Sequence, residues 1–210
     1  MVYKIKTAYK LASPDVLSSM LHVPREEFAP SNFKDMSYKD VPVPIGSGQT
    51  MSQPYTVAFM TSLVIGETQK TASKKIGKIL EIGTGSGYQA AVLSELAEEV
   101  YTVEIIPQLA NTAKKTLKKL GFNNVYIKTG SGEWGWKLHI PYDAIIVTAG
   151  IKDKVPEALF DQLKEGGILV APMGHGEDKL MTRFTKKRNG KLKKEEFGVF
   201  HFVPFIEEGD

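Results

Sequence analysis

Three glycines at alternate positions, Gly83, Gly85 and Gly87 in the run ILEIGTGSGYQAAVL, are the residues of this chain best suited to hold a ligand. An apolar, strand-like run ends at the first glycine, and a helical pattern begins after the last. At such a junction the main chain turns sharply, and unpaired N–H groups at the helix start face outward. Glycine lets a ligand reach those groups with no side chain in between. The spacing narrows the ligand class. A dinucleotide-binding turn would place its third glycine where Tyr88 stands here, so a nicotinamide oxidoreductase ranks low. Glu104 closes the next strand-like run, YTVEI. A carboxylate there can accept hydrogen bonds from both hydroxyls of a ribose. Turn and carboxylate together point to a cofactor that carries a nucleoside.

Ser52, in GSGQTMSQPYT, is the second candidate. By residue type it is a helix cap: a serine hydroxyl takes an orphan N–H, and a proline near the helix start gives up no hydrogen bond. Other chemistries are ruled out by what is missing. There are no cysteines, so disulfides, thiolate nucleophiles and thiolate metal sites are absent. His22, His139, His175 and His201 lack the spacing of a zinc ligand pair, and no protein-held metal is expected.

The elements that must position these residues follow from pattern. With 210 residues, 42% hydrophobic and 24% charged, the chain can bury one good-sized core. Residues 1–76 read as an N-terminal extension that carries Ser52. SPDVLSSML predicts a helix capped by Ser13, VPREEFAP a short helix, YKDVPVPIGSGQT an extended loop, and PYTVAFMTSLVIGET a helix entered just after Ser52. Residues 77–210 read as a cofactor-binding core in which strands and helices alternate, so βαβ units and a parallel sheet are expected. VPEALFDQLKEGG reads as a helix within that series. The C-terminal stretch predicts two strands around a two-residue Asn189-Gly190 turn, an antiparallel hairpin closing the sheet edge. The fold class is therefore α/β: a doubly wound, mostly parallel, Rossmann-like sheet with helices on both faces.

The glycine spacing resembles the first motif of S-adenosylmethionine-dependent methyltransferases. Across nearly its whole length the chain is similar to the protein-L-isoaspartate O-methyltransferase family. VPREEFAP, YKDVPVPIGSGQTMSQP, ILEIGTGSGYQAAVLSELA, VYTVEI, PYDAIIVTAG, VPEALFDQLKEGGILVAPMG and FHFVPF occur in the family's order. The resemblance implies methyl transfer from S-adenosyl-L-methionine to the free α-carboxylate of L-isoaspartyl residues in damaged proteins and peptides, leaving S-adenosyl-L-homocysteine. The ester then closes to a succinimide unaided. It implies Ser52 as the active-site residue, with Ser52, Pro54 and Val203 toward the substrate. Thr50, Met51, Gly83, Gly85, Gly87, Tyr88, Glu104, Ser131 and Gly132 would lie along the cofactor.

The chain departs from the pattern in TGSGEWGW, where Ser131 replaces the family's aspartate near the adenine. Serine can still hydrogen-bond the base but carries no charge. Trp134 and Trp136 are candidates for packing near that ring or in the core. Lys179 stands near a customary glutamine and is given no role. Two other readings compete: a nucleic-acid or small-molecule methyltransferase on the same fold, and a non-catalytic relative with a degraded cofactor site. The first lacks the Asn/Asp-Pro-Pro-aromatic tetrapeptide. Against the second, the glycines, Glu104 and Ser52 are intact. A net charge of +3 is too mild to argue for nucleic acid, and the basic tip KKRNGKLKK reads as a solvated hairpin end. With no membrane span and no targeting segment, the expected compartment is the cytoplasm.

Overall fold

The computed structural model describes residues 1–66, 75–206 and 209. Its N-terminal part holds α1 (Val2–Thr7), α2 (Pro14–His22), a small antiparallel pair β1 (Val43–Gly46) and β2 (Gln49–Met51), and α3 (Pro54–Ile65). Then come β3 (Ile76–Ile82), α4 (Tyr88–Leu96), β4 (Ala97–Glu104), α5 (Pro107–Lys119), β5 (Val125–Thr129), β6 (Tyr142–Val147), α6 (Glu157–Gln162), β7 (Leu163–Met173), β8 (Asp178–Lys186) and β9 (Leu192–His201).

The central sheet has the order β5-β4-β3-β6-β7-β8-β9. Pairing is parallel from β5 through β7, and β8 and β9 join antiparallel at the edge. Strand order reverses at β3, where one crossover leads to β4 and the next neighbour is β6. That switch point is where open α/β sheets bind ligands, beyond the carboxyl ends of the strands.

Residue alternation explains the two covered faces. On β3, Leu80 and Ile82 join Tyr101, Val103, Ile145 and Leu169 under α6, whose Leu159 is fully buried. Ile79 points the other way, with Val100, Ala144 and Ile146, against Met60 and Leu63 of α3 and Leu93 of α4. β6 is thus buried on both sides, as its unbroken apolar run requires. A further cluster gathers Ile5 of α1, Val16 and Met20 of α2, and Ala91 and Val92 of α4. No helix among the described residues is long and apolar enough to cross a membrane.

Local structure departs from the sequence reading in several places. YKDVPVPIGSGQT is not all loop. Val43 pairs with Met51, and Pro44 sits opposite Thr50 in a two-stranded ribbon, where an edge proline is tolerated. The helix read in VPEALFDQLKEGG ends at Gln162, and Leu163 already pairs with Tyr142 as the start of β7. Ser13 is the N-cap of α2 but makes no side-chain capping bond. VPREEFAP forms a 3-10 turn over Arg25–Phe28. In the hairpin, the Lys187 N–H donates to Lys191 O at 2.8 Å, and the Gly190 N–H to Lys187 O at 2.9 Å. The loop therefore has three residues, Arg188-Asn189-Gly190, with Gly190 at φ 74 as its left-handed member. Glu67 and Thr68, the last residues of the stretch read as helix, lie outside the described residues.

Candidate active site

The three glycines form a turn between β3 and α4, and all three have positive φ. At Gly83, φ is 97, and a Cβ would collide with the Thr148 hydroxyl, which is hydrogen-bonded to the Gly83 carbonyl at 2.7 Å. Only glycine fits there. Gly87 works differently. Its Cβ would lie 3.2 Å from Ala113 and from Leu117 of α5, so its role is close packing of the turn against a helix.

Glu104 ends β4 with 5% of its surface exposed. Its Oε2 accepts the Gly85 N–H at 2.7 Å, and Oε1 accepts the Ile106 N–H at 3.0 Å. A carboxylate has about four acceptor positions, so room remains for two ribose hydroxyls. The carboxylate thus also clamps the glycine turn, a duty the spacing alone did not reveal.

Above these groups opens a cavity lined by Thr50, Met51, Ser52, Gly83, Gly85, Tyr88, Glu104, Gly132 and Val203, among others. Its remaining walls are largely aliphatic and aromatic, including Ile82, Val103, Ile106 and Phe205. Exposed main chain at a helix start, a carboxylate with free acceptor positions and apolar walls suit an adenosyl group. The residues present therefore fit the nucleoside cofactor.

Three candidates lie outside this lining. Gly87 packs behind it. Ser131 turns its hydroxyl to Glu133 at 3.2 Å, while its neighbour Gly132 faces the cavity. Pro54 is buried as the first residue of α3. Trp134 is 52% exposed, and Trp136 packs edge-on to Tyr101 at 5.5 Å, within the apolar layer on the α6 side of the sheet. Lys179 is buried and donates to the Gly174 carbonyl.

Ser52 does not cap α3. The N-cap is Gln53, without a side-chain bond, and the Tyr55 N–H is taken instead by Asp40 Oδ1 at 2.9 Å. Asp40 also accepts the Tyr9 hydroxyl. A distant carboxylate thus relieves Ser52 of capping, and the Ser52 hydroxyl has no hydrogen-bond partner among the described residues. A second cavity opens on its other side, between the segment around Ser52 and the end of the chain. It is lined by Tyr9, Tyr55, Val199, Phe200, His201 and Phe202 among others. Thr50, Ser52, Thr148 and Val203 line both cavities, so Ser52 stands on the ridge between them.

Sequence reasoning left out Thr148, Tyr9, Asp40 and Arg25. Thr148 was findable, since it directly follows the buried strand β6 beside β3, at the carboxyl edge of the sheet. Arg25 is fully buried. Its Nη2 donates to the Ser52 carbonyl at 2.7 Å and its Nε to the Ser37 carbonyl at 2.6 Å. Burial lowers its pKa, while the facing Tyr88 opposes the change. Glu81 is buried on β3, and among the described residues neither carboxyl oxygen has a partner in hydrogen-bond geometry, although the Thr102 hydroxyl is near. Burial pushes its pKa up to about 8, and nearby Glu104 adds to the rise against the Thr102 hydroxyl.

The family model for protein-L-isoaspartate(D-aspartate) O-methyltransferase matches residues 1–209. A protein-L-isoaspartate O-methyltransferase of Opitutus terrae is 48% identical over 192 residues, covering 91% of this chain and 79% of its own length. One from Dictyoglomus turgidum is 47% identical over 198 residues, 94% of this chain and 86% of that protein. Among solved structures, a Plasmodium falciparum chain described under the same enzyme name, in complex with S-adenosyl-L-homocysteine, superposes with TM-score 0.84. It is 24% identical and covers 98% of this chain and 96% of that one, which speaks to the fold. With the match running over nearly every residue, this chain belongs to the protein-L-isoaspartate(D-aspartate) O-methyltransferase family.

Proposed function

We propose that the ridge carrying Ser52 is where this chain performs the reaction of its family. As a member, the chain is an S-adenosylmethionine-dependent carboxyl methyltransferase that acts on L-isoaspartyl residues. The observation that carries the site assignment is the free Ser52 hydroxyl between two cavities. One cavity suits the cofactor. The other suits an extended peptide, and we assign it to isoaspartyl proteins and peptides in the cytoplasm.

The chemistry needs little from the protein. S-adenosylmethionine supplies a methyl group already activated on a sulfonium. The substrate α-carboxylate is ionised at neutral pH and needs no base. With the cofactor bound, transfer of that methyl to the carboxylate oxygen would leave neither partner charged. A cation paired to the carboxylate would stabilise the ground state more than the transition state. Among the described residues, no Lys or Arg lines either cavity. In this reading Ser52 donates to one carboxylate oxygen and leaves the other aimed at the methyl, so orientation and exclusion of water do the work. The Val203 carbonyl already accepts the Gly150 N–H at 2.8 Å. Val203 would therefore offer the peptide main chain its N–H. Gly83, Gly85, Glu104 and Gly132 would hold the adenosyl part, and the part of the N-terminal extension around Ser52 would face the substrate.

The test is labelled methyl transfer to two peptides that differ only in L-isoaspartyl versus L-aspartyl, with Ser52→Ala alongside. Base-labile label is expected on the isoaspartyl peptide alone. In Ser52→Ala, kcat/KM should fall about a hundredfold, as for loss of one positioned donor, with S-adenosylhomocysteine affinity retained. Transfer by Ser52→Ala at the unaltered rate would remove Ser52 from the mechanism.

A further inference from the structure

A buried arginine is an expensive choice, because a desolvated charge must be met by well-placed partners. Arg25, at 0% exposure, meets three separate pieces of the active site's surroundings. Its Nε binds the Ser37 carbonyl at 2.6 Å, its Nη2 binds the Ser52 carbonyl at 2.7 Å, and its Cζ lies 4.5 Å from the centre of the Tyr88 ring. Its Nη1 has no hydrogen-bond partner among the described residues.

The Ser52 backbone has few other constraints. Met51 ends β2 and Pro54 begins α3, which leaves a two-residue link. The Gln53 carbonyl is used by the Val57 N–H at 3.2 Å. Pro54 has no N–H to give. Among the described residues, the Ser52 carbonyl is held by Arg25. The Tyr88 ring under the same guanidinium opens α4 directly after Gly87. One planar group thus touches both the serine link and the first residue of the helix that follows the cofactor turn.

We propose that Arg25 is a positioning residue for methyl transfer: by gripping the Ser52 carbonyl while resting on Tyr88, it fixes the Ser52 hydroxyl relative to the cofactor turn. The inference rests on the assignment of Ser52 given above. A fork with donors on both arms and a flat face for the ring is what arginine offers and lysine does not. Misplacing a reacting group by about 1 Å can lower a rate about a hundredfold, so the grip bears on turnover rather than on binding.

Arg25→Lys keeps the charge and loses the fork. With activity expressed per site that binds S-adenosylhomocysteine, partial unfolding drops out of the comparison. The expected result is a kcat lowered about tenfold to a hundredfold. The peptide KM and the S-adenosylhomocysteine Kd should stay within about threefold. In a Ser52→Ala background, the same Arg25→Lys change should alter kcat less than about twofold, because coupled residues are not additive. If Arg25→Lys yields no protein that binds S-adenosylhomocysteine, Arg25→Gln, which keeps an N–H donor for the Ser52 carbonyl, enters the same cycle. A kcat loss as large in the Ser52→Ala background as in the wild type would overturn the positioning role and leave the Ser52 assignment standing. Unaltered activity in Ser52→Ala alone would overturn both.

Discussion

The two sides of the active site are built in different ways. On the cofactor side, a single continuous stretch, β3, the glycine turn, α4 and β4, brings Gly83, Gly85 and Glu104 together. The key hydrogen bonds there run to main-chain N–H groups. On the substrate side, Tyr9, Ser52, Phe200 and Val203 line the groove from distant parts of the chain, and the Asp40 side chain ties Tyr9 to the Tyr55 N–H. The first side is a property of local geometry and the second of tertiary assembly. Damage to the first should therefore read out as lost cofactor affinity, and damage to the second as lost turnover or peptide affinity with the cofactor still bound.

The largest effect should come from the clamp on the cofactor side. Glu104→Ala removes two charge-assisted hydrogen bonds, each worth about 1.5–3 kcal/mol, and the acceptor positions for the ribose. Affinity for S-adenosylhomocysteine measured by calorimetry should drop about a hundredfold or more, and the unfolding midpoint should fall with it. Undiminished affinity would mean that the cofactor side does not depend on this carboxylate, and the contrast between the two sides would collapse.

Arg25 and Glu81, both at 0% exposure, give each side a fully buried ionisable group, and the pair sharpens the comparison. Arg25 has two carbonyls and a ring, whereas among the described residues neither Glu81 oxygen has a hydrogen-bond partner. The Glu81 pKa rises from 4.5 to about 8. Below pH 4.5 both folded and unfolded chains carry the proton, and the contribution of the group to stability is fully present. Between those values the folded chain keeps a proton that the unfolded chain has lost, so stability falls by up to about 1.4 kcal/mol per pH unit. The decline levels off above the folded pKa. Glu81→Gln, which cannot ionise, should flatten this window. Urea unfolding at pH 5.5, 7 and 9 should show the variant gaining on the wild type by on the order of a few kcal/mol. Parallel pH profiles would show that Glu81 ionises normally in the folded protein.

The same contrast explains what could be read from sequence. The glycine turn, its flanking strand and helix, and Glu104 were legible because spacing and periodicity are local signals, and β6 announced its double burial by an unbroken apolar run. By residue type Ser52 was legible as a cap, and only the family resemblance pointed to it as the active-site residue. Its release from capping depends on Asp40, whose approach to Tyr55 is a tertiary event. Arg25 falls in VPREEFAP, read only as a short helix, and nothing near it in sequence signals burial. Pro42 and Pro44 disguised β1, because a proline signals loop unless the ladder bond it lacks is not needed. The three-residue hairpin loop was missed because Asn-Gly also suits a tighter turn, and the register of β8 against β9 decided between them.

The smallest effect tests the substrate side at its outer wall. Tyr9 stacks on Tyr55 with ring centres 4.0 Å apart and planes 17° apart, and Tyr55 in turn stacks on Phe200 at 6.0 Å. These rings form a wall of the groove beyond Ser52. A stacked pair is worth about 0.5–1.5 kcal/mol beyond its buried area, equivalent to roughly a two- to tenfold change in binding. Tyr9→Ala should therefore raise KM for an isoaspartyl peptide several-fold while leaving kcat and S-adenosylhomocysteine affinity where they were. Tyr9→Phe keeps the stack, loses only the hydrogen bond to Asp40, and should fall between Tyr9→Ala and the wild type. A change in cofactor affinity instead of KM would join Tyr9 to the wrong cavity. An unchanged KM would confine the peptide to the ridge, with the aromatic wall serving only to hold α1 and its following segment against α3.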